Sequence, residues 1–582
     1  MTRRIGQSVA GAALLIGVVT VVARLVGFGR YFVQSESVGN GCLSTAYNTA
    51  NYVPNIVFEL VAGGALAGMV VPVLASAASR ADQDPRARAE TGRTTSALLT
   101  WTMLVLVPVA LLIVAFARPI VALLAGSAPG CDVAQVVEVG TGMLVLFAPR
   151  MIFFGLAVVL YGVLQAHRRF LGPALAPLVS SLLIIASNLL FEAVNGPAAT
   201  HLSDLDDAGA LTLSLGATVA AAAMVATVVG PVARLRLRLR PSLSFPPGVA
   251  ARARGLATAG LAVLVAQQIT LIVVVQLAND LGGKGAVGVY TYAWALYQLP
   301  YAVLVMPIAT SSFPVLSTRA EAGDLAGFDA LTSATTRAVL LVTGLAAGVM
   351  AAVAVPVARV FLEDTPGGDP AEMARAVALF APGLAGYALM LHLARILYAR
   401  GLGRPAAVAS VAGWGVALVA QIVLANAARD ETEVVGRLAL GSTIGMTVGG
   451  LLLALAVFRA GGARALAGAP RALLTALAGG AAAWGAGLAV VGAFGEVSRW
   501  MCVPVGVAAA VAGTAAFAVV AVLVGGPDTR GLPGRLRGRA GRAGEEGSGS
   551  DAPSGEGNGS DERSAEGSGS GGRSAKGSGS DE

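Results

Sequence analysis

Long apolar segments dominate this chain, and they constrain its fold more than any other feature. About fourteen of them reach the roughly 20 residues that an α-helix needs to cross a bilayer; they begin near Ser8, Ser44, Thr95, Val136, Gly172, Gly209, Gly255, Val287, Ala330, Ala374, Pro405, Val435, Arg471 and Met501. Of all residues 55% are hydrophobic and only 13% are charged. The sequence therefore predicts an all-α polytopic membrane protein with about fourteen transmembrane helices, the first retained because it lacks the cleavage site of a signal peptide.

The connections between these segments alternate in charge. With a cytoplasmic N-terminus, inner connections are basic, as at Arg168 and Arg169, and outer connections are acidic, as at Asp206 and Asp207. This is the positive-inside pattern of membrane proteins. We therefore expect a multi-pass protein of the bacterial cytoplasmic membrane with both termini in the cytoplasm, in which the net charge of +7 sets topology and does not bind nucleic acid.

An internal repeat predicts the domain organisation. "VPNIVFELVAGGALAGMVVPVLASAASR" resembles "LPYAVLVMPIATSSFPVLSTR", and "LYGVLQAHRRFLGPALAP" resembles "ILYARGLGRPAAVAS", each pair six helices apart. We expect two six-helix lobes, residues 1–240 and 241–465, around a central cavity that holds the substrate site. Residues 466–526 would add two transmembrane helices. Residues 527–582 are rich in Gly, Ser and acidic residues and would form a disordered cytoplasmic tail, since they can bury little apolar surface.

A polar stripe crosses the second apolar segment. Asn48, Asn51, Asn55 and Glu59 follow one another at steps of three or four residues, which keeps them on one face of a helix. Such a face must meet something other than lipid, so we expect it to line the cavity. Glu59 would act as a protonation switch or as the counter-ion of an arginine; the alternative is a protonated carboxyl that only packs and hydrogen-bonds.

Three arginines lie within or close to the predicted helices. Arg24 lies about 24 Å along the first helix from Ser8 and Arg30 one to two turns beyond it, and Arg150 follows a proline in the fourth helix. An arginine in hydrocarbon costs at least ~2.5 kcal/mol unless it meets water or a partner. We expect all three to bind substrate, with Arg150 alternatively paired to Glu59; snorkelling to headgroups stays open for Arg24 and Arg30.

Other aromatic and basic residues have simpler interpretations. The aromatic residues at the outer start of the eighth segment are expected to form an interfacial belt; they are Tyr290, Tyr292, Trp294, Tyr297 and Tyr301. Arg395, near the cytoplasmic end of the tenth segment, is expected to be a positive-inside residue.

Cys42 and Cys131 fall in the first and second outer connections, where oxidation is permitted. We hypothesise a disulfide between them, the alternative being two small apolar residues with no covalent role. The three histidines show no metal-ligand spacing, and we expect neither a metal site nor a catalytic site.

Five segments resemble the MurJ/MviN family of lipid II flippases, within the multidrug/oligosaccharidyl-lipid/polysaccharide exporter superfamily: "ARLVGFGR", "STAYNTANYVPN", "GGALAGMVVPVLA", "RRFLGPALAP" and "LYARGLGRP". The resemblance covers residues 5–525. It implies a V-shaped pair of lobes around a cationic cavity, two further helices beside a groove for the lipid tail, and alternating access that moves an undecaprenyl-pyrophosphate disaccharide-peptide outward for peptidoglycan synthesis. Arg24 and Arg30 match the family's first-helix arginines and would bind the pyrophosphate.

The sequence departs from this family at charged positions. Thr45 stands where the family usually has an aspartate, Phe58 and Glu59 replace two arginines, and Trp294 and Ala295 replace an acidic and a basic residue. A divergent paralogue therefore stays open. So do a cation-coupled exporter of small molecules and a transport-inactive scaffold that recruits cell-wall synthesis proteins. In each case we expect a protein that is not an enzyme and has no cofactor; the membrane potential and a monovalent cation are both open as energy sources.

Overall fold

A computed structural model describes residues 2–60, 67–81, 84–196, 202–245 and 249–525. The predicted tail, residues 527–582, lies outside the described residues. The described part of the chain is helical and contains no strand. The apolar sequence accounts for this, because a helix satisfies its own backbone hydrogen bonds where a bilayer offers no water.

Twenty α-helices follow one another in the described residues: α1 (Thr2–Val38), α2 (Cys42–Phe58), α3 (Ala67–Ala78), α4 (Pro85–Ala115), α5 (Ala117–Ala125), α6 (Val133–Phe147), α7 (Pro149–Ala166), α8 (Leu171–Asn195), α9 (Asp207–Ala233), α10 (Val249–Leu281), α11 (Ala286–Pro300), α12 (Met306–Glu321), α13 (Leu325–Ala352), α14 (Ala354–Leu362), α15 (Pro370–Phe380), α16 (Gly383–Ala399), α17 (Gly403–Asn426), α18 (Glu431–Ala465), α19 (Ala469–Phe494) and α20 (Cys502–Val524). Short turns add Leu202–Asp204 and Arg499–Met501, which are 3-10 helical, and Tyr301–Val305, which is π-helical.

Within the described residues, eleven helical segments are long and apolar enough to cross a membrane, and the bent pair α15–α16 makes twelve. These correspond to twelve of the predicted spans and confirm an all-α, multi-pass membrane protein. The remaining two predicted spans begin near Ser8 and Ser44. The first is the continuous helix α1, whereas the second is divided between α2 and α3 by residues 61–66, which are not described. The count of fourteen therefore stays a prediction.

The sequence repeat has a structural counterpart. α4 with α5 and α13 with α14 are each a long helix followed by a nine-residue helix, separated by one break residue, Phe116 or Val353. Asp132 and Asp369 are as far apart in sequence as Phe116 and Val353. Their carboxylates accept hydrogen bonds from backbone N–H groups at the starts of α6 and α15. An N-cap carboxylate satisfies amide groups that a helix leaves unpaired. The succession of helices α4–α7 therefore recurs as α13–α16.

The helices pack mainly within α1–α9 and within α10–α18. In the first group α8 packs on α1 and α9, and in the second α17 packs on α10 and α18. α19 and α20 pack on each other and on α13, where a Cβ added at Gly348 would collide with the backbone of Gly480. Such small residues let helix backbones approach closely in a membrane. The last two helices thus flank the second group; lobe boundaries at 240 and 465 remain a prediction.

Candidate functional site: arginines and tyrosines between the two helix groups

Arg150 is a buried cation without a carboxylate partner among the described residues. It lies in the first turn of α7, which begins at Pro149, and it is only 5% exposed. Its Nη1 donates to Asn51 Oδ1 at 2.5 Å, and its guanidinium carbon lies 5.1 Å and 5.5 Å from the ring centres of Phe147 and Phe154. An amide oxygen and two ring faces stabilise a cation without neutralising it. Arg150 therefore keeps its positive charge inside the helix bundle.

Arg30 of α1 extends this positive region. Its Nη2 donates to the Tyr31 hydroxyl at 3.1 Å, and its guanidinium carbon lies 4.8 Å from the centre of that ring. Tyr47 of α2 interacts electrostatically with both Arg30 and Arg150, which also repel each other. Neither arginine belongs to an ion pair between described residues. Two guanidinium groups around one phenol make a site suited to an anion.

The predicted asparagine stripe divides into different environments. Asn48 is 2% exposed; it accepts from Gln34 Nε2 at 3.1 Å and donates to the Ser44 carbonyl oxygen at 2.9 Å, so its amide holds α1 against α2. Asn51 holds Arg150, as described above. Asn55 is half-buried one turn further along α2. The structure thus brings Asn51 to the arginines, whereas the hydrogen bonds of Asn48 are made within the protein.

An ion pair between Glu59 and Arg150, one of the alternatives that the sequence left open, does not form between these described residues. Glu59 is exposed, directly after the end of α2, and Arg150 donates to Asn51 instead. The physical reason is distance along the helix: Glu59 lies about 12 Å beyond Asn51, the residue to which the Arg150 guanidinium donates. Glu59 interacts electrostatically with Tyr387 of α16, and Arg24, also exposed, with Tyr301.

The predicted aromatic belt is likewise wrong, because the rings pack inside the protein. Tyr290, Tyr297 and Tyr301 are each less than 9% exposed. Tyr297 lies 5.0 Å from Phe380 and Tyr301 lies 5.1 Å from Tyr387, ring centre to ring centre. These contacts join α11 and the π-helical turn to α15 and α16. The sequence did contain a signal for this internal packing. Steps of four, three and four residues place four of the rings on one helix face: Tyr290, Trp294, Tyr297 and Tyr301.

The two helix groups meet at the end of the bundle that contains Cys42 and Cys131, here called the disulfide end. The structure joins these two cysteines in a disulfide with a Cα–Cα distance of 5.6 Å. Beside it, Thr45 Oγ1 accepts from the Gly285 amide at 2.9 Å, and Asn279 donates to Thr49 Oγ1 at 2.8 Å.

A third contact between the groups lies deeper, where the Tyr52 and Thr291 hydroxyls are 2.8 Å apart. These contacts close the bundle between α2 and α10–α11. Thr45 thus contributes to the closure.

Two features of the site were not predicted from the sequence. Arg395 faces the interior beside Tyr301, although its position suggested an interfacial residue; its place in a continuous apolar run was the available signal. Arg499 contacts Glu36 across more than four hundred residues of sequence, and no local pattern indicates such a pair. Among the described residues there is no group of three His, Cys, Asp or Glu side chains that could hold a metal ion.

Comparison with known proteins identifies the family. The sequence profile described as Lipid II flippase MurJ matches residues 35–497, most of the chain. The chain belongs to the MurJ family. The match begins beyond Arg24 and Arg30, and it includes Asn51, Arg150 and Arg395.

Two curated MurJ relatives show the extent of the similarity. A probable lipid II flippase MurJ of Rhizobium meliloti is 27% identical over 354 residues, 60% of this chain and 62% of the relative. The lipid II flippase MurJ of Burkholderia cenocepacia is 27% identical over 393 residues, 67% of this chain and 73% of the relative. The chain thus matches less than two thirds of the length of the first relative.

Solved structures show the same fold. The structure of a lipid II flippase MurJ in an inward closed conformation covers 87% of this chain and 98% of its own, with a TM-score of 0.65 at 17% identity. An inward-facing multidrug resistance MATE family transporter of the MOP superfamily covers 76% of this chain and 95% of its own, with a TM-score of 0.60 at 11% identity. At these identities the likeness concerns the fold alone.

Proposed function

We propose that this MurJ-family protein is a lipid II flippase: a transporter, not an enzyme, that moves an undecaprenyl-pyrophosphate-linked peptidoglycan precursor across the bacterial cytoplasmic membrane. The observation that carries the proposal is the Arg30–Arg150 pair, two guanidinium groups inside a membrane protein with no ion pair among the described residues. A diphosphate supplies the negative charge that these arginines lack, and guanidinium groups bind phosphate oxygens in a fork-like geometry.

The direction of transport follows from the closed disulfide end. Because the two helix groups are joined there, we assign the approach of the ligand to the opposite end, which carries basic connections such as Arg168 and Arg404. By the positive-inside rule that end is cytoplasmic, and so are both termini. A conformation in which the Tyr52–Thr291 and Thr45–Gly285 contacts separate would then release the headgroup outside. Alternating access therefore requires these hydrogen bonds to break in each cycle.

The residues named above have distinct parts in this mechanism. Arg24, Arg30 and Arg150 bind the diphosphate, Asn51 orients Arg150, and Asn55 and Glu59 face the sugar or peptide portion. Asn48 acts indirectly, since its hydrogen bonds hold α1 against α2. The energy source is the membrane potential or a monovalent cation, and no cofactor is involved.

Neither alternative function is favoured by a specific observation. Unpaired arginines would repel the cationic substrates of a drug exporter. A scaffold working through the tail would depend on residues outside the described part of the chain.

The test uses cells whose native flippase is depleted and which express this chain as the only copy, with lipid II exposed at the cell surface as the readout. We expect exposure with the wild type, at least a tenfold loss with Arg30→Gln or Arg150→Gln, and wild-type exposure with Arg404→Gln, a control that removes an exposed arginine. A membrane-inserted wild type that exposes no lipid II would overturn the proposal.

A further inference from the structure

Two arginines of the inner connections have a strained backbone. Arg168, in the turn after α7, has a φ of +58°, and Arg236, in the segment after α9, has a φ of +52°. Among the described residues other than glycine, only Ala128 shares this left-handed conformation. A Cβ is strained in this region, which glycine adopts freely. Both positions therefore hold an arginine although the backbone favours glycine.

The repeated helices show which residue the turn after α7 requires. In that turn a backbone hydrogen bond of 2.8 Å, donated by the Arg169 amide to the Leu164 carbonyl oxygen, closes over Arg168. The corresponding turn after α16 is closed by an equivalent bond of 2.8 Å, and there the enclosed residue is Gly401, with a φ of +76°. Glycine is the usual residue at this position of a helix end. The geometry of the turn thus does not require an arginine, and the reason for Arg168 must lie in its side chain.

The two connections that contain these arginines lie side by side. A Cβ added at Gly172, at the start of α8, would lie 3.4 Å from Val228 and 3.8 Å from Pro231, both near the end of α9. One cluster of buried apolar side chains includes both Leu164, just before the first turn, and Leu235, in the second connection. The turn after α7 and the segment after α9 therefore lie at one end of the first helix group.

The segment after α9 is fixed along α4. The Arg240 amide donates to Ser96 Oγ at 3.0 Å, and the Ser242 amide donates to Thr100 Oγ1 at 3.1 Å. The two donors are two residues apart, and the two acceptors are one helical turn apart. The segment thus has a defined position on the helix, and so do the side chains that it presents to the outside.

Leucines and arginines alternate in this segment, and the structure separates them. Leu235 belongs to the apolar cluster and Leu237 packs against it, whereas the arginines of both connections are exposed. None of these arginines belongs to an ion pair between described residues. Together they form what we call the basic surface: Arg168, Arg169, Arg234, Arg236, Arg238 and Arg240.

Large apolar side chains are exposed beside the basic surface. Phe170 and Leu171 follow the turn after α7 and are each 45% exposed, and Leu239 lies between two of the arginines. The indole of Trp101 is also exposed, and its Nε1 donates to the Leu243 carbonyl oxygen at 3.1 Å. Arginines next to exposed apolar and aromatic side chains are typical of the membrane interface, where the apolar groups enter the bilayer and the guanidinium groups reach the headgroups.

We propose that the basic surface binds the phosphodiester headgroups of anionic phospholipids in the cytoplasmic leaflet. Its six guanidinium groups are not neutralised by carboxylates of the described residues, and each can donate two hydrogen bonds to phosphate oxygens. The exposed apolar side chains beside them favour a lipid surface over a soluble anionic partner. The inference does not depend on the proposed function, because it concerns the outer surface of the bundle and not the arginines between the helix groups.

The experiment measures the binding of dioleoyl phosphatidylglycerol and of dioleoyl phosphatidylcholine to the purified full-length protein in detergent, by native mass spectrometry. We expect the wild type to bind phosphatidylglycerol about tenfold more tightly or better, and Arg168→Gly and Arg236→Gly each to weaken that binding about fivefold. Arg429→Gln is the control, since it removes one exposed arginine from the connection between α17 and α18 and should change binding less than twofold. Equal binding of the two lipids by the wild type would overturn the proposal. So would an equal loss in Arg429→Gln, because net charge alone would then explain the effect.

Thermal unfolding separates lipid binding from a structural role. Arg168→Gly and Arg236→Gly relieve a strained φ, so their thermal midpoints in detergent should equal or exceed that of the wild type. Arg238→Gln removes a charge of the same surface at a residue without a positive φ, and it should weaken phosphatidylglycerol binding to a similar extent. Lowered midpoints with unchanged lipid binding would assign the arginines to the fold and overturn the proposal. A loss of binding in the two glycine variants but not in Arg238→Gln would also overturn it, because backbone flexibility would then be the cause.

Discussion

Arg499, in the turn before the last helix, forms an ion pair with Glu36 near the end of the first. The Arg499 guanidinium also lies 3.4 Å from Asp364 and donates through Nε to the Val360 carbonyl oxygen at 2.9 Å. Three elements that are distant in sequence, α1, α14 and the turn Arg499–Met501, are thereby joined at the disulfide end. The pair joins helices at the disulfide end independently of the contacts around Thr45.

We expect Arg499→Gln and Glu36→Gln each to destabilise the protein by ~1–3 kcal/mol, less than the ~3–5 kcal/mol of a fully buried pair, because Glu36 is 34% exposed. The measurement is the thermal midpoint of the purified protein. Arg437→Gln is the control, since it breaks a half-buried pair with Glu433 inside one turn of α18 that joins no second element, and such i,i+4 pairs contribute little. Equal midpoints for all three variants would show that the Arg499 pair does not fasten the helices.

Asn51→Leu should reduce transport about tenfold or more, because it removes the hydrogen bond of a buried charged group, worth ~1.5–3 kcal/mol. Asn48→Leu should lower the thermal midpoint, since the Asn48 amide is bonded to Gln34 and Ser44. The measurements are lipid II exposure in depleted cells and thermal unfolding of the purified variants. The reverse assignment, with transport lost only through Asn48, would contradict the positioning role of Asn51.

The disulfide predicts a change in thiol count. The chain has three cysteines, of which Cys502 is free and buried. Denatured protein purified without reductant should therefore react with one equivalent of an alkylating reagent, and reduced protein with three, as read by mass spectrometry. Cys131→Ser supplies the control, because it should present two thiols without reduction. A count of three in the unreduced wild type would exclude the bridge.

Gly285→Ala should open the disulfide end. Gly285 has a φ of +80°, and an added Cβ would collide with the carbonyl oxygen of Asn40, so the substitution meets both strain and a clash. We expect a lower thermal midpoint and faster labelling of a cysteine introduced at Thr291, in a protein whose own cysteines are replaced. Gly492→Ala is the matched control, since no atom lies within 4 Å of its added Cβ; equal labelling of the two variants would contradict the closure.

The fold followed from the sequence because the length and apolarity of each segment leave few structures that a bilayer accepts. The same reasoning located Arg150, because an arginine so deep in an apolar segment must have a partner. It could not choose that partner: Asn51 and Glu59 were both in the predicted stripe, and only the packing of α7 on α2, which places Arg150 beside Asn51, decides between them.

Arg395 was missed for a different reason. Segment boundaries read from hydropathy shift by several residues, and at that precision an interior arginine near a helix end looks like an interfacial one. The Arg499–Glu36 pair depends on how α14 brings α1 and the turn Arg499–Met501 together, a tertiary relationship that no helix period encodes.

The repeated helix succession has a consequence for the shape of the ligand. The interval that relates Asp132 to Asp369 also relates Arg150 to Tyr387, so the two halves share a backbone plan but present a cation on one side and a phenol on the other. Two halves with the same arrangement of helices but different side chains can distinguish the two ends of an elongated molecule. The proposed substrate, a lipid with a charged diphosphate and a neutral sugar, is such a molecule.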